Sequence, residues 1–237
     1  MDLSAATWTD VADAEAELAV LPVGSTEQHG PHAPLGTDCL TAGAVADVAL
    51  ERTDRTVLRA PTIPVGVAAE HRAFAGTLWV EPSTFRDYVG ECLESLGHHG
   101  VEAAVVVNGH GGNVDALAEV TAAISRAPEP PYAVAFTWFD AIEEAVDLGH
   151  GGPVETALVS HLDPDLVRTD RFEEAREGGA ERWGEWAAGV NLAHDAEEFT
   201  DSGVVGDPGG GDPDLGKRVL TAAADQLVEL LDAVATR

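Results

Sequence analysis

The apolar and polar positions along the chain alternate between two patterns. Leu18 to Val23 is an unbroken apolar run, as expected of a strand buried on both faces. A helix is expected at about 40–52. A second strand follows at 57–60, where Pro61 stops it. From Pro82 and Ser83 onward, Phe85, Val89, Cys92, Leu93 and Leu96 recur at helical spacing and form one face, on which Cys92 reads as core. Residues 103–107 form a β-branched-rich strand, and Asn113 is placed to cap a helix running to about Arg126. Another strand is expected at 132–139. A helix opens near Pro153, where proline suits the first turn, and a last helix runs from about Asp214 to the C-terminus.

Buried strands alternating with helices predict an α/β fold: a mostly parallel sheet with helices on both faces, in three layers. No linker or internal repeat divides the chain, so residues 1–237 are expected to form a single domain. The stretch at about 172–202 breaks the pattern. It is acidic, contains glycine and is weakly periodic, with Trp183 and Trp186 three apart. It reads as an excursion from the sheet: a lid, a subunit contact or a plain surface loop.

Composition narrows the function classes. Apolar residues make up 45% of the chain, enough for a substantial core. Lys plus Arg number 13 and Asp plus Glu 42, a formal charge of −29, which argues against nucleic acid and against anionic lipid as partners. Lys217 is the only lysine, and the acidic residues are scattered along the chain. Such self-repulsion is relieved by salt, which suggests a halophilic protein. No apolar run is long enough to span a bilayer, and the N-terminus lacks a basic region followed by an apolar one, so a soluble, cytoplasmic protein is expected. Two cysteines, Cys39 and Cys92, are too few for a disulfide framework.

Three segments concentrate unusual residues: Leu21 to Asp38 (LPVGSTEQHGPHAPLGTD), Val105 to Asn113 (VVVNGHGGN) and His150 to Thr156 (HGGPVET). The first two follow apolar strands directly. In open α/β sheets the carboxyl ends of the strands form the ligand crevice. Glu27 and His29 are two apart, so in an extended stretch they leave the same face. Asp38 comes after a proline-punctuated loop, His110 sits between Gly109 and Gly111, and Glu155 lies near the start of a helix. Three carboxylates and two imidazoles are enough for two divalent ions with one carboxylate shared. The donor mix suits Zn, Mn or Fe rather than Ca.

These segments resemble the creatininase (creatinine amidohydrolase) family. Leu21 to Asp38 is similar to its L-P-x-G-S-x-E-Q-H-G-x-H-L-P-L-x-T-D pattern, with Ala33 in place of a leucine. Asn108 to Asn113 matches N-G-H-G-G-N, and His150 to Ala157 resembles H-A-G-x-x-E-T-S, with Gly151 and Ala157 as departures. Glu70 to Thr77 looks like the family's substrate-side loop, and Ser202 to Pro208 like its late glycine-rich turn. The resemblance implies a dinuclear metal-dependent hydrolase of amide C–N bonds that uses a metal-activated water. Glu27, Asp38 and His110 would hold one ion. His29 and Asp38 would hold the second, with Asp38 bridging. Creatininase proper carries a glutamate two residues after the second-segment histidine; Gly112 stands there, and Glu155 is the expected substitute. His150 would handle protons, with Glu155 also a candidate proton-transfer partner. The backbone N–H groups of Gly109, Gly111 and Gly112 would face the developing oxyanion, and Glu70 and His71 the substrate. The Gly-Gly-Asn variant resembles the branch containing the mycofactocin-maturation peptidase and formylaminopyrimidine deformylases. A creatinine-like lactam, a modified peptide and a formylamide are therefore the competing substrates. Family members are commonly ring-shaped, often hexameric, so a homo-oligomer is implied. The alternative of another class is a non-catalytic metal-binding assembly protein, which would have no use for His150.

The remaining candidates have plainer readings. His32 is structural beside the ligand loop, and His98 and His99 end a helix. His161 and His194 belong to structure or solvent, Cys39 packs under the loop, and Trp138 is core.

Overall fold

A computed structural model describes residues 1–129, 131–142, 148–211 and 214–237, with Ala141 described for its backbone alone. Four strands, β1 (Leu18–Val23), β2 (Val57–Arg59), β3 (Ala103–Asn108) and β4 (Tyr132–Thr137), pair in parallel in the order β2-β1-β3-β4. β1 and β3 lie in the middle and every residue of both is buried, which is why each reads as a continuous apolar run.

Side chains of the two central strands alternate between two cores. Leu18, Val20, Val105 and Val107 face α2 (Thr37–Arg52), α5 (Pro153–Leu162) and α7 (Leu215–Val234). Ala19, Leu21, Val23, Ala104 and Val106 face α3 (Pro82–His98) and α4 (Val114–Arg126). The result is the three-layer arrangement that the pattern predicts. α3 points Phe85, Val89, Leu93 and Leu96 into the second core, with Cys92 half-buried beside them. A short helix, α1 (Trp8–Ala14), has no fully buried residue and touches the second core through Val11.

Three local expectations change. The helix expected from residue 40 begins at Thr37, so Asp38 sits in its first turn rather than in the preceding loop. The strand expected to reach residue 139 ends at Thr137, and Trp138–Ala141 turns into a 3-10 helix with Trp138 wholly buried. Asn113 stands at the start of α4 but its side chain makes no cap bond. Instead it accepts from Val67 N–H at 2.9 Å and donates to Gly24 C=O at 3.1 Å, tying three loops together. The excursion at 172–202 holds the short helix α6 (Phe172–Glu177) and a hairpin of β5 (Trp186–Ala187) and β6 (Val190–Asn191). Just beyond it, Val205 and His150 exchange both backbone hydrogen bonds, at 2.9 and 3.0 Å. Among the described residues no helix is long and apolar enough to cross a membrane.

Candidate metal centre

Val23 and Asn108, the last residues of β1 and β3, are paired neighbours, so the loops that follow leave the sheet side by side. Glu27, His29, Asp38, His110 and His150 converge above them, joined by Glu155 from the first turn of α5; all six are buried. Asp38 and Glu155 both occupy first helical turns, where the dipole favours a carboxylate.

The distances define two adjoining groups. His110 Nδ1 lies 3.1 Å from Glu27 Oε1 and 3.4 Å from Asp38 Oδ2. His29 Nε2 lies 3.0 Å from Asp38 Oδ1 and 3.7 Å from Glu155 Oε1. Asp38 is thus common to both, one oxygen towards each. His150 Nδ1 is 3.9 Å from Glu27 Oε1, and the His150 ring stacks 4.4 Å from both His29 and His71.

The far nitrogen of each of three rings faces a carbonyl. His29 Nδ1 is 3.2 Å from Glu27 C=O, His110 Nε2 is 2.7 Å from Val67 C=O, and His150 Nε2 is 2.7 Å from Gln28 C=O. A carbonyl can only accept, so each of these nitrogens keeps its proton and the opposite nitrogen is the one that can bind an ion. Both oxygens of Glu27, Oδ2 of Asp38 and Nε2 of His29 are buried and make no hydrogen bond among the described residues. Buried polar atoms are rarely left that way, and divalent cations in the two groups would satisfy all four. The donor set therefore fits two ions bound through oxygen and nitrogen.

Without ions, the carboxylates hold protons in the site. Burial pulls the His110 imidazole down, but Glu27, Asp38 and Glu70 outweigh it and raise it to about 10. His29 is likewise lowered by burial and raised, well above its ordinary value, by Asp38 and Glu155. Burial and then Glu27 push the Asp38 carboxyl up. Glu155 would be raised by burial but is held low by His29, His150 and the Gly151 N–H that bonds it at 2.7 Å. His150 falls to about 4, first through burial and then through the His29 charge beside it.

The group opens into a cavity of about 410 Å³, lined also by Glu70, His71, Gly111, Gly112, Phe139 and Trp183. Every candidate site residue of the sequence thus lies in one place. Gly109 is the exception for the oxyanion: its N–H donates to Val23 C=O at 2.9 Å. Glu70 approaches the His110 side of the site, 3.8 Å from Nε2, whereas Glu155 serves the His29 side. Burial raises the Glu70 carboxyl. His32 lies behind the site, 3.0 Å from Thr156 Oγ1 and edge-on to Phe172. Cys39 packs half-buried under the loop, its thiol pushed up to about 12 by burial and by Asp38. Of the two tryptophans in the excursion, Trp183 reaches the cavity and Trp186 stands exposed on the hairpin. Gln28 is invisible from sequence, because its partners lie 43 and 175 residues away.

The chain is similar to known proteins in sequence and in fold. The family model described as Creatininase: Creatinine amidohydrolase matches residues 4–231. The mycofactocin precursor peptide peptidase of Mycobacterium tuberculosis (strain H37Rv) is 31% identical over 241 residues, 96% of this chain and 89% of that protein. Its counterpart in Mycolicibacterium smegmatis is 36% identical over 159 residues, 65% of this chain and 62% of that protein. A solved structure described as "Creatininase Mn" superposes with a TM-score of 0.80 at 22% identity, over 97% of this chain and 96% of its own.

Proposed function

Because the chain belongs to the creatininase (creatinine amidohydrolase) family, we propose that it is a two-ion amidohydrolase that cleaves an amide C–N bond of a modified peptide or a creatinine-like lactam. Glu27, Asp38 and His110 would hold one divalent ion, and His29, Asp38 and Glu155 the other, with Zn, Mn or Fe as the metal. The observation that carries this reading is the set of buried ligand atoms on Glu27, Asp38 and His29 that crowd together and yet make no hydrogen bond. Bound there, the ions supply the positive charge that brings a water's pKa towards neutrality and polarises the scissile carbonyl.

The chain's own groups do the rest. His150 is neutral near pH 7, keeps one proton on Nε2 through Gln28 C=O, and presents Nδ1 to the site. It accepts the proton released on attack and returns it to the departing nitrogen. The N–H groups of Gly111 and Gly112, at the free start of a 3-10 turn, face the developing oxyanion. Glu70 meets the substrate, the His71 ring lines the substrate cavity, and Trp183 closes one wall and limits water. The peptidase relatives support the modified peptide over the lactam; a formylaminopyrimidine-type deformylase is the second reading within the family. The whole chain acts as one domain of a cytoplasmic homo-oligomer, hexameric in this reading.

Metal analysis of protein purified in high salt should find two divalent ions per chain, falling in His110→Ala. A panel of creatinine, C-terminally modified peptides and formylamides should then show hydrolysis of one class. Less than one tightly bound ion in the wild type overturns the two-ion model. Full ion content with no hydrolysis of any amide favours a metal-binding assembly protein.

A further inference from the structure

Gln28 stands between two of the residues assigned to the ions, yet its side chain serves neither. The carboxamide is buried and held at three points. Oε1 accepts from Gly30 N–H at 2.9 Å, while Nε2 donates to Gly203 C=O at 3.0 Å and lies 2.9 Å from His71 Nδ1. The two backbone bonds decide which end is oxygen. Turned over, the amide would set oxygen against a carbonyl and N–H against N–H. The group facing His71 is therefore a donor, and Nδ1 must accept. A neutral imidazole that accepts at Nδ1 carries its proton on Nε2. His71 Nε2 lies 3.5 Å from Glu27 Oε1.

This is the reverse of the neighbouring rings. His29, His110 and His150 give their far N–H to carbonyls and turn the other nitrogen towards the carboxylates. By proximity alone, Glu27, His71 and His150 would make a further ion-binding group, since their ligand atoms lie within 4.8 Å of one another. We propose that Gln28 is a positioning residue that fixes His71 in the Nε2–H tautomer. His71 is thereby kept out of the ligand set, with its Nε2–H turned towards the Glu27 carboxylate.

One further observation agrees. Gly203 has φ +81°, and a Cβ there would overlap the Gln28 carboxamide, so the late glycine turn is shaped around this amide.

The effect on ion binding rests on the two-ion reading; the tautomer does not. ¹⁵N NMR of the metal-free protein should show His71 with an unprotonated Nδ1 and a protonated Nε2. Gln28→Glu replaces the donor by an acceptor and should exchange the two, with the His110 ring signals in place as a check of the fold. Gly203→Ala, which displaces the amide by another route, should make the two tautomers mix. Mn²⁺ titration should show affinity about tenfold weaker in Gln28→Glu. His71→Gln, which keeps a donor near the Nε2 position, should bind Mn²⁺ better than His71→Ala. A protonated Nδ1 in the wild type, or an unchanged His71 tautomer in Gln28→Glu, overturns the proposal. Equal Mn²⁺ affinity in wild type and Gln28→Glu overturns the link to Glu27. A wild type that binds no Mn²⁺ but shows the stated tautomer sinks the two-ion reading alone.

Discussion

Glu70 and the backbone of Gly112 share one small space: a Cβ at position 112 would come 2.7 Å from Glu70 Oε1 and 2.5 Å from His110 Nε2, and would overlap Val67 C=O. The carboxylate on this side of the site thus comes from a different loop than the glycine-rich segment itself. Gly112→Ala should push Glu70 and His110 from their positions, and a displacement of that size costs about 100-fold in kcat/KM. At Gly111 the same Cβ meets no atom within 4 Å, so Gly111→Ala should stay near wild type. Gly111→Leu, reaching into the cavity beside the oxyanion position, should raise KM and lower kcat. Steady-state kinetics on the three variants checks this, and a Gly112→Ala enzyme of full activity would show that the close packing is irrelevant.

His150 offers a separate test of proton handling. Its Nε2 is tied to Gln28 C=O at 2.7 Å and it is assigned to no ion. His150→Gln should therefore leave metal content and KM close to wild type while kcat falls by roughly 10²–10⁴-fold. Loss of one ion per chain in this variant would instead make His150 a ligand.

Much of the fold and of the site is legible in the amino-acid pattern. β1 and β3 read as strands because both their faces are buried, and α3 as a helix because its apolar positions keep the helical repeat. Glu27, His29, Asp38 and His110 are legible because short loops after adjacent parallel strands must meet. The illegible parts are long-range. Asn113 has the position of a helix cap, but bonds to Gly24 and Val67 decide its side chain, and local sequence carries no trace of them. Asp38 falls within α2, which starts three residues before its apolar pattern, where Thr37 N–H and Oγ1–H both donate to Pro34 C=O and close the preceding turn. Trp183 and Trp186 look alike in sequence, and only the fold of 172–202 sends one into the cavity and leaves the other exposed.

The protonation pattern predicts how the metal-free protein responds to pH. The His110 pKa is raised from 6.5 to about 10 on folding, and His29 is also raised, so both bind protons more tightly folded than unfolded. Their stabilisation is complete below about pH 6.5 and is lost as the pH climbs towards 10. His150 and His32 are lowered to about 4, so their contribution is complete above about 6.5 and is lost as the pH falls towards 4. Denaturant unfolding of the chelated protein should therefore show greatest stability near pH 6.5, with decline on both sides. Divalent ions compete with the protons on His29 and His110, so metal affinity should rise across the same alkaline range. A stability that rises steadily from pH 7 to 10 without metal would contradict the ion pairing of these rings.

Salt sets two effects against each other. The basic residues are largely spent in surface pairs such as Arg52–Asp225, Arg55–Asp232 and Arg59–Asp47, and salt weakens these. Each exposed pair is worth only about 0–1 kcal/mol, so the loss is small. Against it stand 42 acidic and 13 basic residues, leaving 29 negative charges without a counterpart. At 0.1 M salt the Debye length is about 10 Å and neighbouring carboxylates repel; at 1 M it is about 3 Å and they hardly do. Relief of repulsion should win, and Tm should climb from dilute buffer to molar KCl. Neutralising exposed acids that have no arginine partner, for example Asp13→Asn with Glu94→Gln, should raise Tm in dilute buffer and flatten the salt dependence. Removing the partnered Asp225 should not. A Tm that drops as KCl is added would mean that the surface pairs, and not the excess negative charge, govern the stability of this fold.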